Sequence, residues 1–298
     1  MCGIVGLLIK NVKLRDQLGA LMVPMLVGMT ERGPDSAGLA VYTAPVSGQM
    51  HKLSLYSGAH EVQWPQLLAE LRADISGHHE VAAHGNHAVL TTAADPDAVA
   101  GWFANRTPEI AVLSVGQSID LYKDVGAPAE IARRYRFDTL RGTHLVGHTR
   151  MATESAVTPA HAHPFTAGRD FCLVHNGSLS NPHLVRKRLE PLGIEFETDN
   201  DTEAACRFFE WRLREGDDLE TAVQSGFSVL DGFYTFLMGT DRELLIVRDA
   251  FACKPAVVAE TDEYVAIASE FRSLSHLPDI AHASLFEPKP EEIYSWQV

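Results

Sequence analysis

The 298-residue chain is 46% hydrophobic and 21% charged, an ordinary globular make-up, and is long enough for one large core or two modest domains. Its formal net charge of −14 argues against nucleic acid and anionic membrane surfaces as partners, since both call for basic patches. No apolar run reaches membrane-spanning length, no basic lead-in marks a secretory signal, and Cys2, Cys172, Cys206 and Cys253 lie far apart without a C-x-x-C. A cytoplasmic protein with neither a disulfide framework nor a zinc ribbon is therefore expected.

In chain order, Met1-Cys2-Gly3-Ile4-Val5-Gly6 comes first. Removal of Met1 would leave Cys2 with a thiol and a free α-amine on one residue. An ordinary thiol is little ionised at neutral pH and needs a base, and an α-amine titrating near ~8 can take and return the proton. The plainer reading is an incidental buried thiol at a strand start. Ile4, Val5, Leu7 and Leu8 read as that strand, and Leu14, Leu18, Met22, Met25 and Met29 as one amphipathic helix. A turn over Arg32–Gly38 leads to a strand at Leu39–Thr43. From about 52 to 138 the character changes: strand Lys52–Tyr56, helix Gln63–Asp74, strand Glu80–Thr92, helix Asp95–Phe103 and strand Ile110–Val115 suggest a small ferredoxin-like insertion, followed by a short helix at Ala129–Tyr135.

In the second half, Thr143–Arg150 reads as a strand, Phe171–His175 as a short buried strand, and Pro182–Leu192 and Thr202–Arg214 as helices, the latter with Asp201 at its N-cap. Tyr234–Thr240 and Glu243–Arg248 form a hairpin, strands near Ala256–Ala259 and Val265–Ser269 follow, and the tail reads as irregular. Locally paired strands with few helices argue for α+β with stacked antiparallel sheets. Among these elements, Arg150 at a strand end suits bidentate capture of a carboxylate. Asn176-Gly177 offers a side-chain amide and a backbone N–H, the two donors an oxyanion hole needs. Asp201 suits either capping or an ammonium group. Each has a structural alternative: a surface ion pair, a tight turn and a plain cap, respectively. Taken together, a thiol, an oxyanion hole, a carboxylate grip and an ammonium grip describe a free amino acid with a reactive side-chain carbonyl, and glutamine fits.

The chain resembles the class II glutamine amidotransferases, an N-terminal-nucleophile family. The resemblance rests on Cys2–Gly6, Arg32–Gly38, His148–Thr153, Ala162-His163-Pro164, His175-Asn176-Gly177, Asp201-Thr202-Glu203 and Arg248-Asp249, in the family's order over nearly the whole chain. It implies one amidotransferase domain over 2–298, a four-layer αββα sandwich with a small α/β insertion. It also implies that Cys2 attacks the glutamine amide with its own α-amine as base, that Asn176 and Gly177 hold the oxyanion, and that Arg150 binds the α-carboxylate and Asp201 the α-ammonium. Thr153 would line the same pocket and Arg32 would buttress the loop beside the nucleophile.

Met151 stands where an aromatic is common, and Cys253 where a glycine is usual; the latter reads as structural. The insertion is similar to that of glutamate-synthase-like amidotransferase subunits, including the split N-methylglutamate synthase type. No flavin, iron–sulfur, nucleotide or sugar-phosphate signature is present. No cofactor is therefore expected on this chain, and ammonia is expected to pass to a separate, flavin-dependent synthase subunit. The alternatives are a free-standing γ-glutamyl amide hydrolase and a non-catalytic assembly module. A metal site strung from His161, His163, Cys172 and His175 matches no common zinc spacing, so no metal is expected.

Overall fold

The computed structural model describes residues 2–58, 62–152 and 157–298. Strand β1 (Gly3–Ile9) is buried along its whole length because alternate side chains serve two cores. Val5, Leu7 and Ile9 meet Met22, Met25 and Met29 at helix α1 (Leu18–Gly28), whereas Ile4 and Leu8 face the other way, toward a second sheet. Burial on both faces explains why the strand reads as a continuous apolar run and not as an alternation. The single helix expected from Leu14 onward is divided, with Val12–Gln17 a 3-10 turn ahead of α1. Strand β2 (Ser36–Tyr42) follows.

Strand β3 (His51–Ser57), helix α2 (Trp64–Asp74), strands β4 (His79–His84) and β5 (His87–Thr92), helix α3 (Pro96–Arg106) and strand β6 (Ile110–Gly116) form a separate unit. Its four antiparallel strands lie in the order β4-β5-β3-β6, the split-βαβ arrangement, around Leu53, Leu55, Trp64, Leu90 and Phe103. The run Glu80–Thr92, expected as one strand, is a hairpin, broken where Gly85 takes a φ of +67°. Strand β7 (Ile119–Val125), which the sequence pattern does not single out, returns to the main body and pairs with β2. Helix α4 (Pro128–Arg134) then brings Ile131 and Ala132 against the α1 core.

The remaining elements are β8 (His144–Arg150), β9 (Phe165–Ala167), β10 (Phe171–Leu179), α5 (Pro182–Leu189), α6 (Asp201–Arg214), α7 (Leu219–Gly226), β11 (Gly232–Gly239), β12 (Glu243–Arg248), β13 (Val257–Glu260), β14 (Tyr264–Ala268), β15 (Ser284–Phe286) and β16 (Tyr294–Gln297). They complete a seven-stranded sheet, β15-β13-β14-β1-β8-β2-β7, and a five-stranded sheet, β16-β12-β11-β10-β9, both antiparallel. Thus α7 is an addition to the elements expected, and the tail read as irregular supplies an edge strand to each sheet. Between the sheets, Ile4, Leu8 and Val146 meet Val174, Leu237 and Ile246. On the far side of the five-stranded sheet, Leu173, Phe236 and Met238 pack under Val185, Phe208 and Val223 of α5, α6 and α7. This is the expected αββα sandwich. Each large aliphatic side chain fully buried there contributes roughly 1.5–3 kcal/mol, so the two sheets form a firm platform for whatever sits at their ends. A Cβ on Gly6 would stand 2.9 Å from Leu237 Cδ2, which is how closely the sheets approach. No helix among the described residues is long and apolar enough to cross a membrane.

Candidate active site

The register of β1 against β8 sets Gly3 opposite Thr149, and that of β2 against β8 sets Ser36 opposite Arg150. Cys2 and Arg150 therefore come to the same end of the seven-stranded sheet. Cys2 is half-buried with a free thiol, and Arg150 is buried. Arg32 Nε donates to the Cys2 carbonyl at 2.9 Å and Arg32 Nη1 to Glu270 Oε1 at 2.9 Å, so this guanidinium holds the backbone of the cysteine. In return, Arg32, with Arg272 close by, keeps the Glu270 carboxyl below its ordinary range. Two residues on from Cys2, Ile4 exchanges hydrogen bonds with Ser269: its N–H donates to Ser269 Oγ at 2.9 Å and its carbonyl accepts from Ser269 N at 3.0 Å. The Arg32–Gly38 loop is fastened to the end of β8, since Asp35 N donates to the Arg150 carbonyl at 3.0 Å and Ala152 N to Asp35 Oδ2 at 2.8 Å.

Asn176 and Gly177 come from the other sheet. They lie within β10, opposite Thr235 and Tyr234 of β11, and do not form a tight turn. Gly177 has a φ of +150°, and a Cβ there would stand 1.8 Å from the Phe233 carbonyl oxygen, so only glycine fits. The Asn176 side chain is 3% exposed, and its Nδ2 has no hydrogen-bond partner among the described residues. A buried amide donor left unspent is costly unless something else accepts from it, and an oxyanion is one such acceptor. His148 Nε2 donates to the His175 carbonyl at 3.0 Å, bridging the two sheets beside Asn176.

Asp201 is the first helical residue of α6 and not its cap; Asn200 caps the helix, its Oδ1 accepting from Thr202 N at 2.9 Å. Asp201 Oδ2 instead accepts from Leu179 N at 2.8 Å, which draws the start of α6 to the end of β10 just past Gly177. Thr202 Oγ1 stands 2.9 Å from His163 Nε2 and 3.0 Å from His175 Nδ1. These two histidines therefore brace the loop, the strand and the helix against one another. His161 pairs with exposed Asp199 at 3.0 Å, and Cys172 belongs to the core between the sheets, where burial pushes its thiol up to about 12. Of the four residues weighed as a metal site, His163 and His175 thus share Thr202, whereas His161 and Cys172 make other contacts. Thr153 lies outside the described residues. Glu270 and Ser269 were not singled out from the sequence; their one signal is a polar pair directly after the buried strand Tyr264–Ala268.

Burial keeps several imidazoles of the chain neutral, in the site and away from it: His148 and His144 fall to about 3 and His87 to about 4. The unfolded chain takes up their protons below about pH 6.5, so the stability they contribute is full above that pH and is lost as pH falls toward the folded values. Each costs roughly 1.4 kcal/mol per pH unit within that window. The unfolding free energy is therefore expected to fall steeply from pH 6.5 to pH 4.5. His144→Gln, away from the site, should remove about one proton from the uptake on unfolding. An unchanged slope in calorimetry across that range would count against a neutral His144.

Comparison with known proteins follows the same lines. Residues 148–276 match the glutamine amidotransferase domain family. The chain is 46% identical over 297 residues to the glutamine amidotransferase-like protein GlxB of Rhizobium meliloti, covering 99% of this chain and 98% of that one. It is 36% identical over 134 residues to the glutamine–fructose-6-phosphate aminotransferase of Xylella fastidiosa, covering 45% of this chain and 22% of that enzyme. Among solved structures, the glutamine phosphoribosylpyrophosphate amidotransferase of B. subtilis superposes with a TM-score of 0.61 at 17% identity, covering 99% of this chain and 49% of the other. At that identity the likeness is one of fold, and this chain spans about half of the solved one.

Proposed function

Because the chain belongs to the glutamine amidotransferase family, we propose that this glutamine-hydrolysing enzyme works through Cys2 and serves as the ammonia-donating subunit of a larger amidotransferase. The observation that carries the reading is the convergence at one end of the two sheets: Cys2 beside Arg150 on the first, and Asn176-Gly177 beside Asp201 on the second. In this reading Arg150 takes the α-carboxylate of glutamine and Asp201 its α-ammonium. The Cys2 thiol gives its proton to the α-amine freed by loss of Met1 and attacks the side-chain amide carbon, while Asn176 Nδ2 and Gly177 N–H hold the oxyanion. The amine returns the proton to the departing nitrogen, ammonia leaves, and water cleaves the γ-glutamyl thioester to glutamate and free thiol. Arg32 fixes the Cys2 carbonyl throughout.

In the same reading the acceptor chemistry belongs to a separate chain. We assign that chain to the flavin-dependent synthases of glutamate synthase or N-methylglutamate synthase type, on the likeness of the insertion. The test compares glutamine turnover by the isolated chain with turnover by a co-purified complex. Turnover is expected to be slow in isolation and to rise with the partner, as when binding completes a site. Full-speed hydrolysis alone, with no partner recovered, would favour a free-standing γ-glutamyl amide hydrolase.

A further inference from the structure

A cavity of about 320 Å³ lies where the four-stranded unit meets the sandwich, and none of Cys2, Arg150, Asn176, Gly177 or Asp201 lines it. Its apolar wall comes from Val112 and Leu113 of β6, Phe165 of β9 and Pro159; its polar end comes from Lys123 of β7 and Arg207 of α6. The volume sits at the small end of the range for small-molecule sites.

The Lys123 ammonium is the unusual feature. Its side chain is 6% exposed, and Nζ donates to the carbonyls of Ala162 at 2.9 Å and Pro164 at 3.4 Å, above the Phe165 ring. An ammonium has three protons to place, and no carboxylate among the described residues lies within ion-pair distance of this one. Burial, partly offset by the more distant charges of Glu197 and Glu203, draws it down to about 8. Arg207, by contrast, is ion-paired with Glu197, Glu203 and Glu210, although its Nε has no hydrogen-bond partner among the described residues. The acid facing both cations from α6, Glu203, is already committed: it accepts from Glu197 N, Thr198 N and Thr198 Oγ1, each at 2.7 Å. Glu109 and Glu197 stand exposed at the mouth, an acidic rim that opposes multiply charged anions such as phosphates.

We propose that this cavity is a second binding site, taking a small monocarboxylate with an apolar body whose carboxylate completes the pairing of Lys123. A buried cation without a counter-charge is costly, and a ligand carboxylate in a dry pocket removes that cost. The site also touches the other one. Lys123 grips the carbonyls on either side of His163, and His163 bonds Thr202, the neighbour of Asp201. An occupant that draws on Lys123 therefore shifts the brace behind Asp201; this coupling, unlike the binding, rests on the function proposed above.

The experiment titrates the whole chain with phenylacetate and hexanoate, and with benzylamine as the cationic control, by calorimetry in two buffers of different ionisation enthalpy. Saturable binding of the carboxylates alone is expected, with proton uptake near pH 8 as the ammonium is stabilised. Lys123→Met should weaken it by roughly thirtyfold or more. Ala111→Trp, which fills the cavity from β6 and leaves Lys123 in place, should abolish it and decides the matter should Lys123→Met fail to fold. Equal binding of benzylamine, no saturable carboxylate binding in the millimolar range, or wild-type affinity in Ala111→Trp would overturn the site. Glutamine turnover with and without phenylacetate tests the coupling separately: binding without any change in turnover removes the coupling and keeps the site. Absence of glutamine hydrolysis in every sample removes the function proposed above and leaves calorimetry to decide the site.

Discussion

Replacing Cys2 by alanine is expected to lower glutamine turnover by on the order of 10⁵-fold or more while leaving the fold intact, since losing the nucleophile of a covalent mechanism removes the reaction path itself. Stability should hold because Cys2 precedes β1 and its structural contact is made by its carbonyl, which alanine keeps for Arg32. A glutamine analogue carrying an electrophilic carbon in place of the amide should label the wild-type protein once, at Cys2. The other thiols supply the internal controls. Cys172 and Cys206 are buried and their thiols pushed up by desolvation, so they are poor nucleophiles, whereas Cys253 is exposed and reports on indiscriminate labelling. The same sample tests the base: its intact mass should lack Met1. Full activity with Met1 retained would exclude the α-amine, and label found on Cys253 but not on Cys2 would exclude the nucleophile.

What the sequence revealed and what it hid follow from the kind of signal each residue leaves. Backbone demands are legible one residue at a time. Gly177 must be glycine because a Cβ would meet the Phe233 carbonyl, and such a constraint shows as an Asn-Gly pair even without a structure. The two-sided burial of β1 is legible as an unbroken apolar run. By contrast, Glu270 acts on Cys2 through Arg32, from which it is separated by 238 residues, and no local pattern marks a partner chosen by the fold. Strand β7 was passed over because Ile119–Val125 alternates weakly, with Lys123 and Asp124 buried among its apolar residues. Their burial is set by tertiary neighbours, Lys123 by the carbonyls around His163 and Asp124 by Tyr135 and Arg134. The Asp201 cap was misplaced by one residue because Asn200 and Asp201 are both good caps; the choice fell to Asn200 because the Asp201 carboxylate is needed at Leu179.

That second duty of Asp201 shapes the other large expected effect. Asp201→Asn keeps a side-chain oxygen to accept from Leu179 N and removes the charge, so it should cut kcat/KM for glutamine by the ~2–5 kcal/mol that a desolvated charge pair is worth, with little change in melting temperature. Asp201→Ala should match that loss and also destabilise the protein by about 1–3 kcal/mol, because the Leu179 amide is left without its acceptor. Arg150→Lys keeps the charge but loses the planar fork, and should fall between wild type and Arg150→Ala. Kinetics alone do not separate a grip on substrate from a general disturbance of the site, so the substrate is varied as well. The analogue of glutamine that lacks the α-ammonium should be a far poorer substrate than glutamine for the wild type. It should be nearly as good as glutamine for Asp201→Asn, because the variant has lost the group that told the two apart. Arg150→Lys, by the same reasoning, should still prefer glutamine over that analogue, since its defect lies at the carboxylate. If Asp201→Asn keeps the wild-type preference, the ammonium is held elsewhere and Asp201 serves only to fasten α6 to β10.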